Sequence, residues 1–164
     1  MAVTDLDFKK KGYKKMKIFL FGSCSIKYIP FNAQRMIFND LNKGYTFLIG
    51  DAPGVDSAWQ DFLHDTGYQN VEIHTSGNTP RYIASLSGNE SVHLCWSIKN
   101  LNLSQENFSS EAEYLHRKDI AMISACDTAI AVWDGKSRTT KQNIDALIEL
   151  GKPITVFIEP SVSR

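Results

Sequence analysis

The chain has 164 residues, a length typical of a single domain, and 43% of them are hydrophobic, which is enough for a sizeable core. Its 18 Lys and Arg residues balance 18 Asp and Glu residues, so the formal net charge is zero. Because a sequence-independent grip on nucleic acid normally needs a basic excess, this balance argues against nucleic acid as a partner.

The cysteines and the N-terminal sequence indicate the cellular setting. The three cysteines form no CxxC pair, which argues against a disulfide framework and a structural zinc site, so neither a metal nor a cofactor is predicted. No apolar run is long enough to cross a bilayer and no signal peptide is evident, so we expect a cytoplasmic protein without a membrane partner. The basic run FKKKGYKKMK favours a flexible leader over residues 1–15, and the sequence leaves a homo-oligomer open.

Short apolar runs alternate with segments of helical periodicity along the chain. In chain order, the predicted elements are a strand (16–22), a helix (30–44), a strand (46–50), a helix (54–67), a strand (70–75), a helix (109–126), a strand (127–135), a helix (137–151) and a strand (152–159). Pro30 marks a helix start, Gly67 marks a helix end, and Ser110 followed by Glu113 is a capping-box signature.

Strands separated by single helices predict βαβ units and therefore a Rossmann-like α/β fold. We expect a mostly parallel five-stranded sheet with helices on both faces and the strand order 3-2-1-4-5, in one domain over residues 16–159. Residues 76–108 are rich in Ser, Asn and Gly and are predicted to be an irregular insertion, with a candidate strand at SVHLCWSI.

Three loops that follow predicted strands combine glycine with small polar side chains. FGSCSI contains the first of them, GDAPGVD the second and DGKSRTT the third. Since the carboxyl ends of parallel strands meet at one edge of a sheet, the loops should lie together. Their glycines and hydroxyls suit a phosphate group, although in any one loop the same residues also suit an ordinary turn or N-cap. All three at one edge favour a ligand site.

Three carboxylates, those of Asp51, Asp56 and Asp134, belong to the same loops. A carboxylate at a helix start can simply complement the helix dipole, and this explanation is strongest for Asp56. Three carboxylates together favour a ligand with ribose hydroxyls, from which a carboxylate accepts hydrogen bonds. Asp56 and Asp134 are also the candidates for a catalytic carboxylate acting on an N-glycosidic bond.

The loop sequences resemble motifs of the SMF/DprA–LOG superfamily, called SLOG, and of its YspA-like branch in particular. Residues 22–26, Gly-Ser-Cys-Ser-Ile, are similar to the family's Gly-Ser-Arg-Ser-Ile, and residues 50–56 are similar to its Gly-Gly-Ala-x-Gly-Val/Ala-Asp. Residues 127–140, DTAIAVWDGKSRTT, match its most specific motif, and GKPITVF resembles its last strand. The sequence departs from the family at Cys24, where an Arg is usual, and at Thr139, where a Gly is usual.

The resemblance implies a nucleotide or nucleotide-derived ligand, such as an NAD or ADP-ribose derivative, at the strand ends. At least one of Arg117 and Arg81 is expected to reach an anionic group of the ligand, and Trp133 could stack on its base. The ligand-binding residues expected from the loops and the resemblance are Gly22, Ser23, Ser25, Gly50, Asp51, Gly54, Val55, Asp56, Arg81, Arg117, Trp133, Asp134, Gly135, Ser137, Thr139 and Thr140.

We therefore expect a sensor or binding protein for a nucleotide-like small molecule rather than an enzyme. The enzymatic LOG relatives carry Pro-Gly-Gly and a glutamate, whereas this chain has no Pro-Gly-Gly and has Asn143 near the glutamate position. An N-glycosidic hydrolase or transferase is the first alternative, and a DprA-like single-stranded DNA binder, disfavoured by the zero net charge, is the second. Among the histidines, His74 is the one expected near the site.

Overall fold

The computed structural model describes residues 15–84 and 96–160. Residues 1–14, which hold nearly all of the predicted leader, lie outside the described residues, as does most of the candidate strand SVHLCWSI. The strands are β1 (Lys17–Gly22), β2 (Thr46–Ile49), β3 (Val71–Thr75), β4 (Ser97–Asn100), β5 (Thr128–Trp133) and β6 (Ile154–Ile158). The helices are α1 (Phe31–Leu41), α2 (Val55–Asp65), α3 (Glu111–Ala125) and α4 (Arg138–Glu149), with a 3₁₀ turn at Gln105–Asn107.

The strands of the described residues form one parallel sheet in the order β4-β3-β2-β1-β5-β6. The predicted order is present within it, because the five predicted strands correspond to β3-β2-β1-β5-β6. The predicted number of strands is wrong by one, since β4 adds to the edge of the sheet beside β3. Every residue of β4 is exposed, so this strand lacks the apolar run by which the central strands were recognised.

Helices cover both faces of the sheet and enclose two apolar clusters. Trp59 and Phe47 belong to the cluster beneath α1 and α2, and Met122 and Leu147 belong to the cluster beneath α3 and α4. The chain moves from β1 through β2 and β3 in one direction across the sheet, and from β5 to β6 in the other. The strand order therefore reverses between β1 and β5, and this switch point is where such sheets bind ligands.

Hydrogen bonds at the start of α3 confirm the capping signature. The Ser110 hydroxyl accepts a hydrogen bond from the Glu113 backbone N–H at 3.1 Å. The Glu113 carboxylate returns to the backbone N–H of Ser109 at 3.2 Å, one residue earlier than in the usual reciprocal box. No helix within the two described ranges is long and apolar enough to cross a membrane.

Candidate functional site

A cavity of about 220 Å³ opens at the carboxyl edge of the sheet, between the end of β1, the start of α2 and the facing sides of α3 and α4. It is lined by Phe21, Gly22, Cys24, Ala52, Asp56, Arg81, Ala112, Leu115, His116, Lys118, Asp119, Ser137, Thr139, Thr140 and Asn143. The cavity therefore lies beside the switch point, where the topology predicts a ligand.

Asp134 ties the loop after β5 to the loop after β1. One carboxylate oxygen accepts hydrogen bonds from the backbone N–H groups of Lys136 and Ser137, each at 2.8 Å. The other accepts from the Ser25 hydroxyl at 2.7 Å, and the Asp134 N–H donates to the Ser23 hydroxyl at 3.0 Å. Burial opposes ionisation, but these hydrogen bonds, led by that from Ser25, outweigh it and lower the pKa of Asp134 to about 2. Its oxygens are thus occupied by the protein itself.

Asp51 is engaged in a similar way by Arg81. The guanidinium donates to Oδ1 from Nη2 at 2.9 Å and from Nε at 3.2 Å, and the Arg81 backbone N–H donates to Oδ2 at 2.9 Å. Burial alone would raise the pKa of Asp51, but the hydrogen bonds and charge of Arg81 lower it. Gln60 supports the same segment, because it donates to the Gly50 carbonyl and accepts from the Ala84 N–H. Together these bonds hold residues 81–84 against the loop after β2.

Asp56 is the predicted carboxylate that faces the cavity. The residue is only 6% exposed, and its Oδ2 accepts a hydrogen bond from the Ala52 N–H at 3.2 Å. Burial raises the pKa of Asp56 to about 7; Asp119 and Asp51 add to the rise, while Lys118 and the Ala52 N–H oppose it. Near neutral pH this group therefore exists in both protonation states, and it can accept or donate a hydrogen bond.

A chain of polar side chains runs from α3 to α4 in the cavity wall. Lys118 Nζ lies 3.0 Å from Asp119 Oδ1, Asn143 Nδ2 donates to Asp119 Oδ2 at 3.1 Å, and His116 Nε2 lies 2.7 Å from Asn143 Oδ1. Burial disfavours the charge on Lys118, but Asp119 and Asp56 outweigh it and raise the pKa of the ammonium. Because each buried group has a partner, the chain specifies a single arrangement of these side chains.

Glycines allow the first and second loops to pack against each other. Gly54 has φ +88°, and a Cβ there would lie 2.5 Å from backbone atoms of Cys24. A Cβ on Gly22 would overlap the Val132 carbonyl oxygen and the side chain of Val55. The close approach that these glycines permit is therefore between segments of the protein.

The predicted site residues fall into three groups. Those that line the cavity are Gly22, Asp56, Arg81, Ser137, Thr139 and Thr140. Those in the adjoining loops and the first turn of α2, which do not line it, are Ser23, Ser25, Gly50, Asp51, Gly54, Val55, Asp134 and Gly135. Trp133 packs against the core beneath α4 and donates to the Ser137 carbonyl at 3.1 Å. Arg117 is exposed and lies over the Phe108 ring, away from the cavity.

Sequence reasoning predicted Arg117 as the contribution of α3 and missed the residues of this helix that line the cavity. His116, Lys118 and Asp119 line the cavity, together with Asn143 of α4, and none of them was predicted as a ligand-binding residue. One signal was available: Lys118 and Asp119 interrupt the inward-facing stripe of α3 that Met122 continues. Charged residues at such positions are buried, and buried charges need partners.

His74, the histidine expected near the site, does not line the cavity. It is 8% exposed within β3, and its Nε2 has no hydrogen-bond partner among the described residues. Burial lowers the pKa of His74 to about 4, against the opposing charge of Glu72. The expectation failed because His74 is buried within β3, which lies two strands away from β1 in the sheet. His116 is the histidine at the cavity.

Two thiols are present in the described residues, Cys24 exposed at the cavity and Cys126 buried in the core. Partial desolvation of the sulfur and the neighbouring Asp56 raise the pKa of Cys24, so the thiol is neutral near pH 7. Over residues 15–84 and 96–160, no group of three or more His, Cys, Asp or Glu side chains is placed to hold a metal ion.

Comparisons with known proteins identify the fold. No family model matches the chain, and no curated protein matches it. The solved structure of DNA processing protein A (DprA) from Helicobacter pylori, described by its unique single-stranded DNA binding mode, matches with a TM-score of 0.61 and 17% sequence identity. The match covers 87% of this chain and 65% of that chain. The chain thus has the Rossmann-like fold of DprA, in agreement with the superfamily resemblance at the level of fold, while the YspA-like branch stays a prediction.

This match overturns the argument against nucleic acid as a partner. Nucleic acid was disfavoured because the net charge of the whole chain is zero. The same fold serves a protein described by its binding of single-stranded DNA. The expectation that disfavoured nucleic acid as a partner is therefore wrong, and the local distribution of charge becomes the relevant quantity.

Proposed function

We propose that the chain binds single-stranded nucleic acid at the carboxyl edge of its sheet, with one nucleotide entering the cavity. The observation that carries the proposal is a rim of exposed basic and aromatic side chains at that edge. The rim consists of Lys27, Tyr28, Phe31, Lys136 and Arg138. Cations that follow the phosphate backbone, combined with aromatic rings on which bases stack, are the common design of proteins that bind single strands.

The cations of the rim have no carboxylate partner of their own. Within the described residues, no ion pair joins Lys27, Lys136 or Arg138 to an acidic side chain. Lys43, at the opposite edge of the sheet, is instead paired with Asp40 at 3.4 Å. The zero net charge is thus an average over an uneven distribution, and unpaired cations are concentrated where the cavity opens.

The aromatic side chains of the rim are unusually open to solvent. Tyr28 is 53% exposed, and its hydroxyl donates to the Glu159 carboxylate at 2.8 Å, which holds the ring near the end of β6. Phe31, at the first position of α1, is 69% exposed. Stacking of a base on such a ring contributes about 1–3 kcal/mol and tolerates any sequence.

The cavity offers groups suited to one phosphate, and the comparison supports the same class of ligand. Arg81 and Lys118 place cationic groups in the cavity wall, although each is paired with a carboxylate of the protein, and Thr140 at the start of α4 also lines the cavity. DprA, which has this fold, is described by a single-stranded DNA binding mode.

Fluorescence anisotropy with a labelled oligodeoxythymidylate tests the proposal. Lys136→Ala and Arg138→Ala should each weaken binding and reduce the slope of log Kd against log salt by about 0.7, because each removes one phosphate contact. Tyr28→Ala and Phe31→Ala should each weaken the free energy of binding by about 1–3 kcal/mol, and the slope of log Kd against log salt should not change. Lys43→Ala is the matched control and should alter neither quantity. A wild-type chain that does not bind, or equal affinity in all variants, contradicts the proposal.

A free nucleotide-like molecule is a second candidate ligand, favoured by the carboxylates of the cavity. Asp56 and Asp119 suit ribose hydroxyls better than they suit a phosphate. Thermal-shift measurements with NAD, ADP-ribose and mononucleotides test this candidate, and Asp56→Asn should abolish any stabilisation. Stabilisation without oligonucleotide binding would select the small-molecule ligand, and release of a free base would select the N-glycosidic enzyme.

A further inference from the structure

The polar chain in the cavity wall fixes the direction of each of its hydrogen bonds. Asp119 lies against the Lys118 ammonium, so it is ionised and can only accept. Asn143 must therefore turn its NH₂ group towards Asp119 Oδ2, which leaves the amide oxygen facing His116 Nε2 at 2.7 Å. Because an amide oxygen only accepts, Nε2 of His116 must carry a hydrogen.

Nδ1 is then the ring nitrogen of His116 that remains open. No hydrogen bond reaches it from the described residues, and the half-buried ring lines the cavity. We propose that His116 Nδ1 contacts a phosphate of the bound strand, and that Asn143 and Asp119 are positioning residues that hold the ring for this contact. The inference rests on the proposed function for its ligand, and on the hydrogen-bonded chain for its geometry.

Protonation of His116 places the added proton at Nδ1, because Nε2 already donates to Asn143. The neutral ring has a lone pair at Nδ1, whereas the protonated ring has an N–H group there and a positive charge. The bond to Asn143 is the same in both states, so the ring need not turn. Binding of a phosphate should therefore be tighter to the protonated ring than to the neutral ring.

Other titratable groups share the cavity with this ring, and one of them changes charge near neutral pH. They are Lys118 and Asp119 on α3, Asp56 on α2, Arg81 after β3 and Cys24 after β1, while α4 contributes uncharged side chains. Burial raises the pKa of Asp56 to about 7, so this carboxylate also loses negative charge as the pH falls. An Asp56→Asn background separates the two effects.

Oligonucleotide binding at two pH values tests the ligand contact. In the Asp56→Asn chain, affinity for a labelled oligodeoxythymidylate should rise about tenfold between about pH 8 and about pH 5.5, and adding His116→Gln should abolish this rise. His64→Gln, on a histidine that packs against Trp96 away from the cavity, is the matched control and should leave the rise intact. An undiminished rise in the His116→Gln chain overturns the inference.

Nitrogen-15 NMR of the histidine rings tests the positioning separately from binding. His116, assigned by loss of its signals in His116→Gln, should carry its hydrogen on Nε2 in the wild-type chain at about pH 8. Asn143→Ala should give a mixture of tautomers, whereas His64→Gln should not change the His116 signals. A hydrogen on Nδ1 in the wild-type chain overturns the positioning. If the wild-type chain binds no oligonucleotide at either pH, the proposed function and the ligand contact fail together, and the tautomer still decides the positioning.

Discussion

At the scale of single residues, the carboxylates at the strand ends have different environments. Asp51 is held by Arg81, and Asp134 is held by the Ser25 hydroxyl and backbone N–H groups, so the fold already uses both. Asp56 accepts a hydrogen bond from the Ala52 N–H, and burial is the largest influence on its pKa. Asp51 and Asp134 thus stabilise the loops in which they lie, whereas Asp56 faces the cavity.

Asp56 and His74 should make the free energy of unfolding change with pH in opposite directions between about pH 4 and about pH 6.5. Burial lowers the pKa of His74 from 6.5 to about 4, so the unfolded chain binds this proton first and stability is lost as the pH falls. Burial raises the pKa of Asp56 from 3.8 to about 7, so the folded chain holds that proton and stability is lost as the pH rises. Each slope is at most about 1.4 kcal/mol per pH unit, and in the wild-type chain they offset one another.

Urea denaturation at about pH 5 and about pH 6.5 separates the two groups. Asp56→Asn should be more stable at the higher pH, because only the pH dependence contributed by His74 remains in this variant. His74→Gln should be more stable at the lower pH, because only the pH dependence contributed by Asp56 remains in this variant. Asp145→Asn, which changes an exposed carboxylate, should follow the wild-type chain. Slopes of the same sign in the two test variants would show that one of the assigned pKa shifts is wrong.

Gly54→Ala should destabilise the chain more than Gly67→Ala, although both glycines have positive φ. Gly67 has φ +74° and open space around it, so alanine there should cost about 1–2 kcal/mol for the backbone conformation alone. Gly54 has φ +88° and meets the Cys24 backbone, which adds about 1–3 kcal/mol of overpacking. Urea midpoints of the two variants measure the difference. Equal losses would mean that the first and second loops are not packed as described.

At the scale of elements, the sequence revealed those parts of the fold that are completely buried or locally capped. β1 and β5 carry continuous apolar runs, and α3 carries a capping signature. β4 has polar, exposed residues and is defined by its hydrogen bonds to β3, which leave no periodic pattern. The contact between His116 and Asn143 joins residues 27 positions apart and depends on the packing of α3 on α4, so no local motif could indicate it.

Asp134→Ala should loosen the loops after β1 and β5 together. The substitution removes the acceptor for the Lys136 and Ser137 N–H groups and for the Ser25 hydroxyl. Hydrogen exchange at these two amides should accelerate by about tenfold or more, whereas exchange within β5 should change little. Asp145→Ala removes an exposed carboxylate of α4 and serves as the control. Unchanged exchange at Lys136 and Ser137 would show that Asp134 does not hold the loop.

At the scale of the whole molecule, topology and charge distribution matter more than net charge. The strand order brings the loops after β1 and β5 to the switch point, so Lys27 and Lys136 lie at the same edge of the sheet although they are distant in sequence. The net charge of the chain does not show that these cations lie at one edge. The Rossmann-like fold was predictable from the alternation of strands and helices in the sequence. The prediction against nucleic acid failed because it used only the net charge.

A chemical-shift titration of the nitrogen-15-labelled chain with a short oligodeoxythymidylate tests most directly whether nucleic acid binds at the carboxyl edge. We predict the largest changes at Lys27, Phe31, His116 and Lys136, and no significant change at Lys43 on the amino edge. Changes centred on the amino edge or on β4, or no changes at saturating oligonucleotide, would contradict it.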